Sequence, residues 1–215
     1  MDLVPGPSIH HGDDMSDAPL LTERTRLHRK PTRGSHDRAV VEAILDEAFV
    51  CHVAFVSRGG PIVIPTSFVR VGDRVFLHGS AANGMLRALS EGIDACVAVT
   101  LLDGLVLSRT AFHHSVNYRS VVLFGRATRI DDPIEKTRAL AALLDKLVPN
   151  RAAECRMPND VELAATLVLA LPIAEASAKV RSGPPLADEP VDAALPYWAG
   201  VIPLVTTRGT PIPSP

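Results

Sequence analysis

Between residues 50 and 80, three apolar runs follow one another with only short turn signals between them. The runs are CHVAFVS, PIVIPTSFVRV and RVFLHG, and the interruptions are RGG and VGD. Runs rich in β-branched and aromatic residues, bounded by glycine-containing turns, predict strands that are joined as hairpins. The links are too short to hold a crossover helix, so this part of the chain predicts a β-meander rather than alternating strands and helices.

Similar patterns continue through the rest of the chain. DACVAVTLLDGLVLSRTAF predicts two strands around LDG, and RSVVLFGRATRI and LVLALPIAEASAKVR predict further strands. Helical spacing follows Ser35, a candidate N-cap, and recurs in SAANGMLRALSEG, which Gly92 ends. In DDPIEKTRALAALLDKLVPN, Asp131 or Asp132 is placed to cap a helix and Pro133 to start it. We therefore expect a mainly β fold with inserted helices, built as a small closed or split β-barrel.

Composition excludes several functional classes. The 215 residues suit one domain, whose core must be aliphatic because 47% of the chain is hydrophobic but only 4% aromatic. A net charge of −2 gives no general attraction for nucleic acid or an anionic membrane, and we expect neither as a partner. The longest apolar run, residues 164–173, is too short to cross a bilayer.

The two ends of the chain differ in composition from the middle. Residues 1–32 are rich in Pro, Gly, His and Arg without a sustained period and predict a flexible N-terminal arm, the alternative being a partner-binding segment. Residues 33–205 carry the barrel pattern, and residues 206–215 form a C-terminal tail. The N-terminus lacks the order of a signal peptide, and the three cysteines are too far apart for a disulfide framework or a zinc motif. These features predict a reduced, cytoplasmic protein without a metal site.

The stretch HHSVNYRSVVLFG, residues 113–125, offers two kinds of candidate site. His113 and His114 are adjacent, so on a strand they would point to opposite faces and could not share a metal ion. Arg119 and Ser120 come just before both faces of the strand turn apolar, which places the guanidinium at a barrel rim. Such a group suits bidentate binding of phosphate or carboxylate, and the alternative is an ordinary rim salt bridge.

The stretch FLHGSAANGMLRAL places a strand end directly before a helix. The turn would expose backbone N–H groups and a positive helix end to an anion, with Ser80 and Asn83 adding side-chain hydrogen bonds and Arg87 one turn away. Gly-Ser at such a junction is also common turn chemistry. His78 is either a functional imidazole or a histidine that is satisfied within the barrel.

Three residues near the C-terminus complete the set. Lys179 and Arg181 share one face of a strand end, which suits an anionic ligand or an ordinary solvated edge. Trp198, the only tryptophan, is either a packing anchor or a plate on which a flat ligand stacks. We find no Ser-His-Asp order, HExxH, Walker loop or GxGxxG in the chain.

Taken together, four stretches resemble the pyridoxamine 5′-phosphate oxidase-like flavin-binding proteins. They are RGSHDRAVVEAILDEAFVCHVAFV, PIVIPTSFVRVGDRVFLHGS, LLDGLVLSRTAFHHSVNYRSVVLFGRA and SAKVRSGPP with PYWAGVIPL. Within that family the chain is most similar to the flavin-nucleotide-binding, nitroimidazole-resistance-related branch. The resemblance implies a split β-barrel homodimer that binds FMN at the subunit interface.

The resemblance also implies roles for individual residues. The strand beside the isoalloxazine ring would be formed by Val63, Ile64, Pro65, Thr66 and Ser67. The ring or the ribityl chain would be lined by Leu77, His78, Gly79 and Ser80, with Asn83 near the phosphate and Arg119 and Ser120 near the flavin. The partner subunit's site would be closed by Lys179, Arg181 and Trp198. His78 would be the catalytic residue nearest to the redox centre.

The implied function is that of an FMN-dependent oxidoreductase acting on a small molecule. Gly84 stands where relatives carry a cation for the phosphate. Three alternatives follow: Arg87 and Arg119 compensate, the flavin is bound weakly, or FAD or a deazaflavin replaces FMN. Two alternatives stay open. One is a flavin-binding protein without turnover, and the other is a haem-binding barrel with His78 or His113 as a ligand.

Overall fold

The computed structural model describes residues 20–186 and 189–214, and antiparallel strands dominate it. The strands are β1 (Gly34–Ser35), β2 (Val50–Ser57), β3 (Gly60–Val71), β4 (Arg74–Ser80), β5 (Asp94–Leu107), β6 (Ser115–Arg126), β7 (Thr128–Arg129), β8 (Thr166–Pro172), β9 (Glu175–Arg181) and β10 (Gly200–Pro203). The helices are α1 (Arg38–Glu47), α2 (Gly84–Ser90), α3 (Pro133–Leu147), α4 (Asp160–Ala165) and α5 (Pro190–Ala193).

The strands form one curled sheet in the order β1-β9-β6-β5-β2-β3-β4-β8-β7, and β10 pairs with β5. The long strand β3 joins the two halves of this sheet. Its residues 60–67 pair with β2, whereas its residues 68–71 pair with β4. Among the described residues, no strand pairs with the other side of residues 60–67. The barrel is therefore split, with an open backbone edge along the first half of β3.

Two apolar clusters hold the sheet in shape. The larger one fills the inside of the curl, with α1 and α2 packed against strands from both halves, and includes Val53, Phe68, Leu86 and Leu123. The smaller one lies on the other side of β4 and β8, where α3 covers Val69, Phe76 and Val168. Strand β4 thus contributes alternate side chains to two different clusters, as the period of two along a strand requires.

Most of the predicted elements are confirmed, with three local corrections. Strand β5 runs unbroken through LDG, where its register with β6 shifts between Leu102 and Gly104, so the prediction of two strands there is wrong. The single strand predicted near the C-terminus is two strands, β8 and β9. Helix α1 is capped by Asp37, which accepts from the Ala39 N–H, and not by Ser35. The cap of α3 is Asp132, with Pro133 in the first turn as predicted.

Part of the predicted N-terminal arm is described, and it packs on the barrel. Leu20 is 1% exposed and belongs to the larger core cluster. Arg24 forms ion pairs with Asp94 and Glu175 and lies over the ring of Phe124. Residues 1–19 lie outside the described part of the chain. The division into arm, barrel and tail stays a prediction, but Leu20, Arg24 and Arg29 contact the sheet at Ala176, at Asp94 and Glu175, and at Lys179.

Two further observations concern membranes and metals. No helix within the described residues is both long and apolar enough to cross a bilayer. In the same part of the chain, no group of three or more His, Cys, Asp or Glu side chains is placed to hold a metal ion.

Candidate functional site

The outward face of four neighbouring strands is apolar and open. Val63, Ala54, Cys96 and Phe124 lie directly beside one another in the registers of β3, β2, β5 and β6. Large side chains on this face remain exposed, with Val63 60% and Val56 69% accessible. A shallow cleft of about 510 Å³ lies over the row. An exposed apolar surface of this kind marks a site for a ligand or for another protein surface.

A second cleft of about 300 Å³ continues from the first, because Phe55 and Ile62 line both. It lies between the β2–β3 turn and the start of α2, and its polar lining comes from Ser57, Arg58 and Asn83. Ile64 and Gly84 also line it. The two clefts together offer an apolar surface that leads to a polar, cationic end.

Arg58 is the cation at this end. It lies in the β2–β3 turn with φ of 52°, in the left-handed region, and its side chain is exposed. No carboxylate among the described residues forms a salt bridge with it. The charge is therefore available to an anionic ligand in the cleft. Helix α2, by contrast, has only seven residues, so its summed peptide dipole adds little.

The open edge of β3 borders the same cleft. Pro61 and Pro65 have no N–H to donate to β2. They fit in β3 only at positions where the backbone nitrogen faces away from β2. Val63 lies two residues from each proline and therefore has the same backbone orientation, so its N–H and C=O also face away from β2. The edge thus presents one amide donor between two prolines, with carbonyl acceptors on either side. A flat heterocycle with both donors and acceptors matches this pattern.

The five predicted residues of β3 are divided between two faces. Val63 and Pro65 point outward and are exposed, while Ile64 points into the second cleft. The Thr66 hydroxyl donates to the Ser67 carbonyl at 3.5 Å, at the far end of this segment. The strand therefore borders the candidate site along its edge, and its side chains contribute to both clefts.

The predicted residues of β4 do not converge on one site. Leu77 is 2% exposed and lies in the main core, whereas His78 points to the other side, beneath α3. The cavity beside His78 measures only about 10 Å³, and burial lowers the pKa of its imidazole. Gly79 allows α2 to pack closely, since a Cβ there would lie 3.1 Å from Leu86 Cδ1. The Ser80 hydroxyl accepts from the Ala82 N–H at 3.2 Å and stabilises the turn.

Arg119 is engaged in a rim salt bridge. Its Nη2 lies 2.8 Å from a carboxylate oxygen of both Glu47 and Asp103, and its Nε donates to Asp103 at 3.1 Å. These bonds raise the pKa of Arg119 and lower that of Glu47. Two carboxylates against one guanidinium leave no positive charge to offer, so the geometry matches the salt-bridge alternative. Ser120 points to the opposite face and donates to the Lys179 carbonyl at 3.2 Å.

The remaining predicted residues are spread over other surfaces. Asn83 lines the second cleft, but its side-chain oxygen accepts from the Leu86 N–H at 3.1 Å and caps α2. Arg87 lines a separate cleft with Glu91 and residues of α4 and β8. Trp198 is 61% exposed and lies against Gly200. Lys179 and Arg181 lie at the far end of β9, in a cationic cluster described below. His113 and His114 lie in the short turn before β6.

Residues 37–180 match the sequence family of pyridoxamine 5′-phosphate oxidase. The chain belongs to this family. Two solved structures are similar over nearly their whole length. The flavocytochrome Anf3 from Azotobacter vinelandii is 44% identical, with a TM-score of 0.84 over 92% of this chain and 91% of that chain. The FAD and haem binding protein from Mycobacterium smegmatis is 43% identical, with a TM-score of 0.81 over 85% and 89%.

A candidate 5-nitroimidazole antibiotic resistance protein from Bacteroides thetaiotaomicron shares the fold at 23% identity. Its TM-score is 0.58, over 68% of this chain and 86% of that chain. No curated protein matches the chain significantly. These similarities confirm the predicted split β-barrel of the pyridoxamine 5′-phosphate oxidase family.

In this member of the pyridoxamine 5′-phosphate oxidase family, two residues on the surface of the candidate site were not predicted from the sequence. Arg58 lies in RGG, where the two glycines are enough to predict the turn, so nothing in the sequence indicated a separate role for the arginine. His52 lies in CHVAFVS at a position whose side chain is exposed on the outward face, opposite Pro65 and Ala98. The alternation of side chains along β2 could have predicted this exposure. Cys51 and Val53 on either side of His52 are buried, so the side chain of His52 must lie on the opposite face.

Proposed function

We propose that this protein binds a flavin together with haem and transfers electrons between the flavin and a small molecule. The observation that carries the proposal is the similarity, above 40% identity and over most of both chains, to a flavocytochrome and to an FAD and haem binding protein. FAD is favoured over FMN by the second of these relatives. Since the fold alone does not give a reaction, the residues of the two clefts must also fit these groups.

The clefts fit a flavin in three respects. The open apolar face gives a surface for a tricyclic ring, and the edge of β3 at Val63 offers backbone hydrogen bonds to its polar rim. Arg58 supplies a cation at the polar end, where a phosphate group of the flavin would lie. When bound, the flavin supplies hydride or single-electron chemistry, and the protein orients it and sets its electrostatic surroundings.

A haem requires a ligand for its iron and an apolar surface for its ring. His52 is an exposed imidazole on the apolar outward face, with Pro65 and Ala98 beside it. Imidazole is the usual protein ligand for haem iron. His78 fits poorly, because the cavity next to it is far too small for a macrocycle. We therefore assign haem ligation to His52, in place of the His78 and His113 ligands that the sequence suggested.

We also propose that the functional unit is a homodimer. Many large apolar side chains are exposed in one chain: Val50, Val56, Val63, Phe112, Trp198, Ile202 and Ile212. Residues 204–214 belong to no helix or strand and are exposed, with Arg208 lying over the ring of Phe49. Contiguous exposed apolar surface often marks a protein–protein interface, and Val56 and Val63 lie together in one apolar cleft. A second copy would cover it and would complete the walls of the shallow clefts.

The first experiment is an absorption titration of the purified protein with FAD, FMN and haemin. We expect saturable flavin bands and a separate Soret band. Arg58→Gln should weaken flavin binding by about tenfold, the value of one charged hydrogen bond, and Arg138→Gln, which removes an exposed cation on α3, should not. His52→Ala should shift or abolish the Soret band, whereas His78→Ala should leave it in place.

Turnover is tested separately from binding. Reduced flavin on the protein should be reoxidised by a small-molecule acceptor faster than free flavin is. Equal rates would leave a flavin-binding protein without turnover, and a protein that binds neither flavin nor haem would refute the proposal. Sedimentation or light scattering should give the mass of a dimer, and a monomer at all concentrations would contradict the proposed assembly.

A further inference from the structure

Several cations meet at one end of β6 and β9, away from the clefts described above. Arg29, Lys30, Arg33 and Lys179 line a cleft of about 240 Å³ together with Ser115 and Tyr118. Cations from two separate segments of the chain thus share one concave surface, and two hydroxyl groups complete its lining. A phosphoryl oxygen is a good acceptor for both kinds of donor.

Local structure brings these side chains together. Lys30 has φ of 53° and precedes a single 3-10 turn, Pro31–Arg33, in which the Arg33 N–H donates to the Lys30 carbonyl at 3.0 Å. Strand β1 follows and pairs Gly34 with Lys179. The Lys179 ammonium donates to the Arg29 carbonyl at 3.3 Å, which ties the arm to β9. The positions of the cations are therefore set by backbone pairing.

Arg181 adds a fifth positive charge next to this cleft, because it lies opposite the cleft residue Tyr118 in the sheet. It is 6% exposed and pairs in register with Tyr118. Its guanidinium donates to the Asn117 side chain and to the carbonyls of Gly183 and Pro184. These are neutral acceptors, so they fix the position of the group and leave its charge uncompensated.

No carboxylate in the described part of the chain forms a salt bridge with any of these five cations. Elsewhere on the surface the pattern differs, because Arg24, Arg70 and Arg119 each pair with two carboxylates. Within the cluster, repulsion by Arg33 is the largest cause that lowers the pKa of Lys30. Like charges held this close are destabilising until an anion joins them.

We propose that this cationic cleft is a binding site for a diphosphate or similar polyphosphoryl group of a small molecule. The number of uncompensated cations favours a multiply charged anion over a carboxylate, and the small volume admits the phosphoryl groups while the rest of the ligand projects outward. The site lies beyond the proposed flavin cleft of the same chain. Ala95 of β5 lines the flavin cleft, and Leu102 of the same strand pairs with Tyr118 of the cationic cleft. The seven residue steps between them span about 23 Å at ~3.3 Å each.

Calorimetric titration of the full chain with inorganic diphosphate tests the proposal. We expect saturable binding that weakens as salt is added, and Arg29→Gln/Lys30→Gln should weaken it by about tenfold or more. Both residues are exposed, so this variant should fold normally. The matched control, Arg138→Gln/Arg151→Gln, removes two exposed cations elsewhere and should bind as the wild type does. Lys179→Gln gives a second test from the sheet side of the cleft.

The outcomes separate this site from the flavin site. Absence of diphosphate binding, or equal affinities in the wild type and the Arg29→Gln/Lys30→Gln variant, would overturn the proposal while leaving flavin binding untouched. If FAD displaces diphosphate, the site serves the diphosphate of the dinucleotide itself. If FAD and diphosphate bind together, the site serves a separate phosphorylated ligand. Both of these last results support the anion site and identify its source.

Discussion

Arg119 offers the sharpest test, because the sequence and the structure give it different roles. As an anion-binding residue, its loss would weaken flavin binding. As the centre of a rim salt bridge with Glu47 and Asp103, its loss would lower stability and leave the flavin untouched. We expect the second result for Arg119→Met, which keeps most of the apolar stem and removes the charge.

The magnitude follows from how exposed the group is. The side chains of Arg119, Glu47 and Asp103 are 31%, 54% and 34% accessible, so solvent screens each pair, and exposed pairs contribute about 0.2–1 kcal/mol each. Loss of the guanidinium also leaves two carboxylates facing each other. We expect the free energy of unfolding to fall by about 1–2 kcal/mol. Each kcal/mol corresponds to a decrease in Tm of roughly 2–4 °C for a chain of this size.

Urea denaturation of the flavin-free protein across a range of pH measures this loss. The pKa of Glu47 is lowered by its bond to Arg119, so the stabilisation is present above the ordinary carboxyl pKa of 4.5 and is lost as the pH falls through the lowered value. The difference between the wild type and Arg119→Met should shrink accordingly in acid. Unchanged stability together with about tenfold weaker flavin binding would refute this reasoning.

Two further predictions concern α3. Burial lowers the pKa of Lys146 to about 8 from 10.5, so the unfolded state binds the extra proton between these values and stability should rise with pH there. Lys146→Met should reduce the increase in the free energy of unfolding between pH 8 and 10.5, measured by urea denaturation. An unchanged increase would contradict the lowered pKa of Lys146. Asp132 accepts from two N–H groups of the first turn, so Asp132→Ala should cost about 1 kcal/mol and lower Tm. The exposed neighbour Asp131, which does not cap the helix, is the control, and equal losses would contradict the cap.

The strands and helices were largely predictable because their signals are local. Alternation fixes strand positions, and the Asp132-Pro133 pair marks the start of α3. Glycine in LDG suggested a break, but the flanking residues pair with β6 on both sides, so tertiary pairing overrides the local turn signal. The closed or split barrel followed from the strand pattern, and the resemblance to the family narrowed it to a split β-barrel.

The site was less predictable, because alternation gives two faces without saying what covers each one. Leu77 and His78 are adjacent, yet one lies in the main core and the other beneath α3. The partners of Arg119 come from α1 and from β5, far away in sequence. Arg58 reaches the cleft only because the β2–β3 turn folds over toward α2. Each of these facts depends on distant chain segments meeting.

Pro61 and Pro65, two positions from Val63 on either side, have a consequence for how the protein associates with other molecules. An uncovered sheet edge normally invites a strand from another molecule, which is how many β proteins aggregate. Strand addition needs a run of amide donors, and Pro61 and Pro65 remove the donors on either side of Val63. A flat ring needs only one donor and its neighbouring acceptors. The edge therefore leaves one donor for a small ligand but lacks the run of donors that a pairing strand requires, so we expect the protein not to associate through this strand when the edge is uncovered.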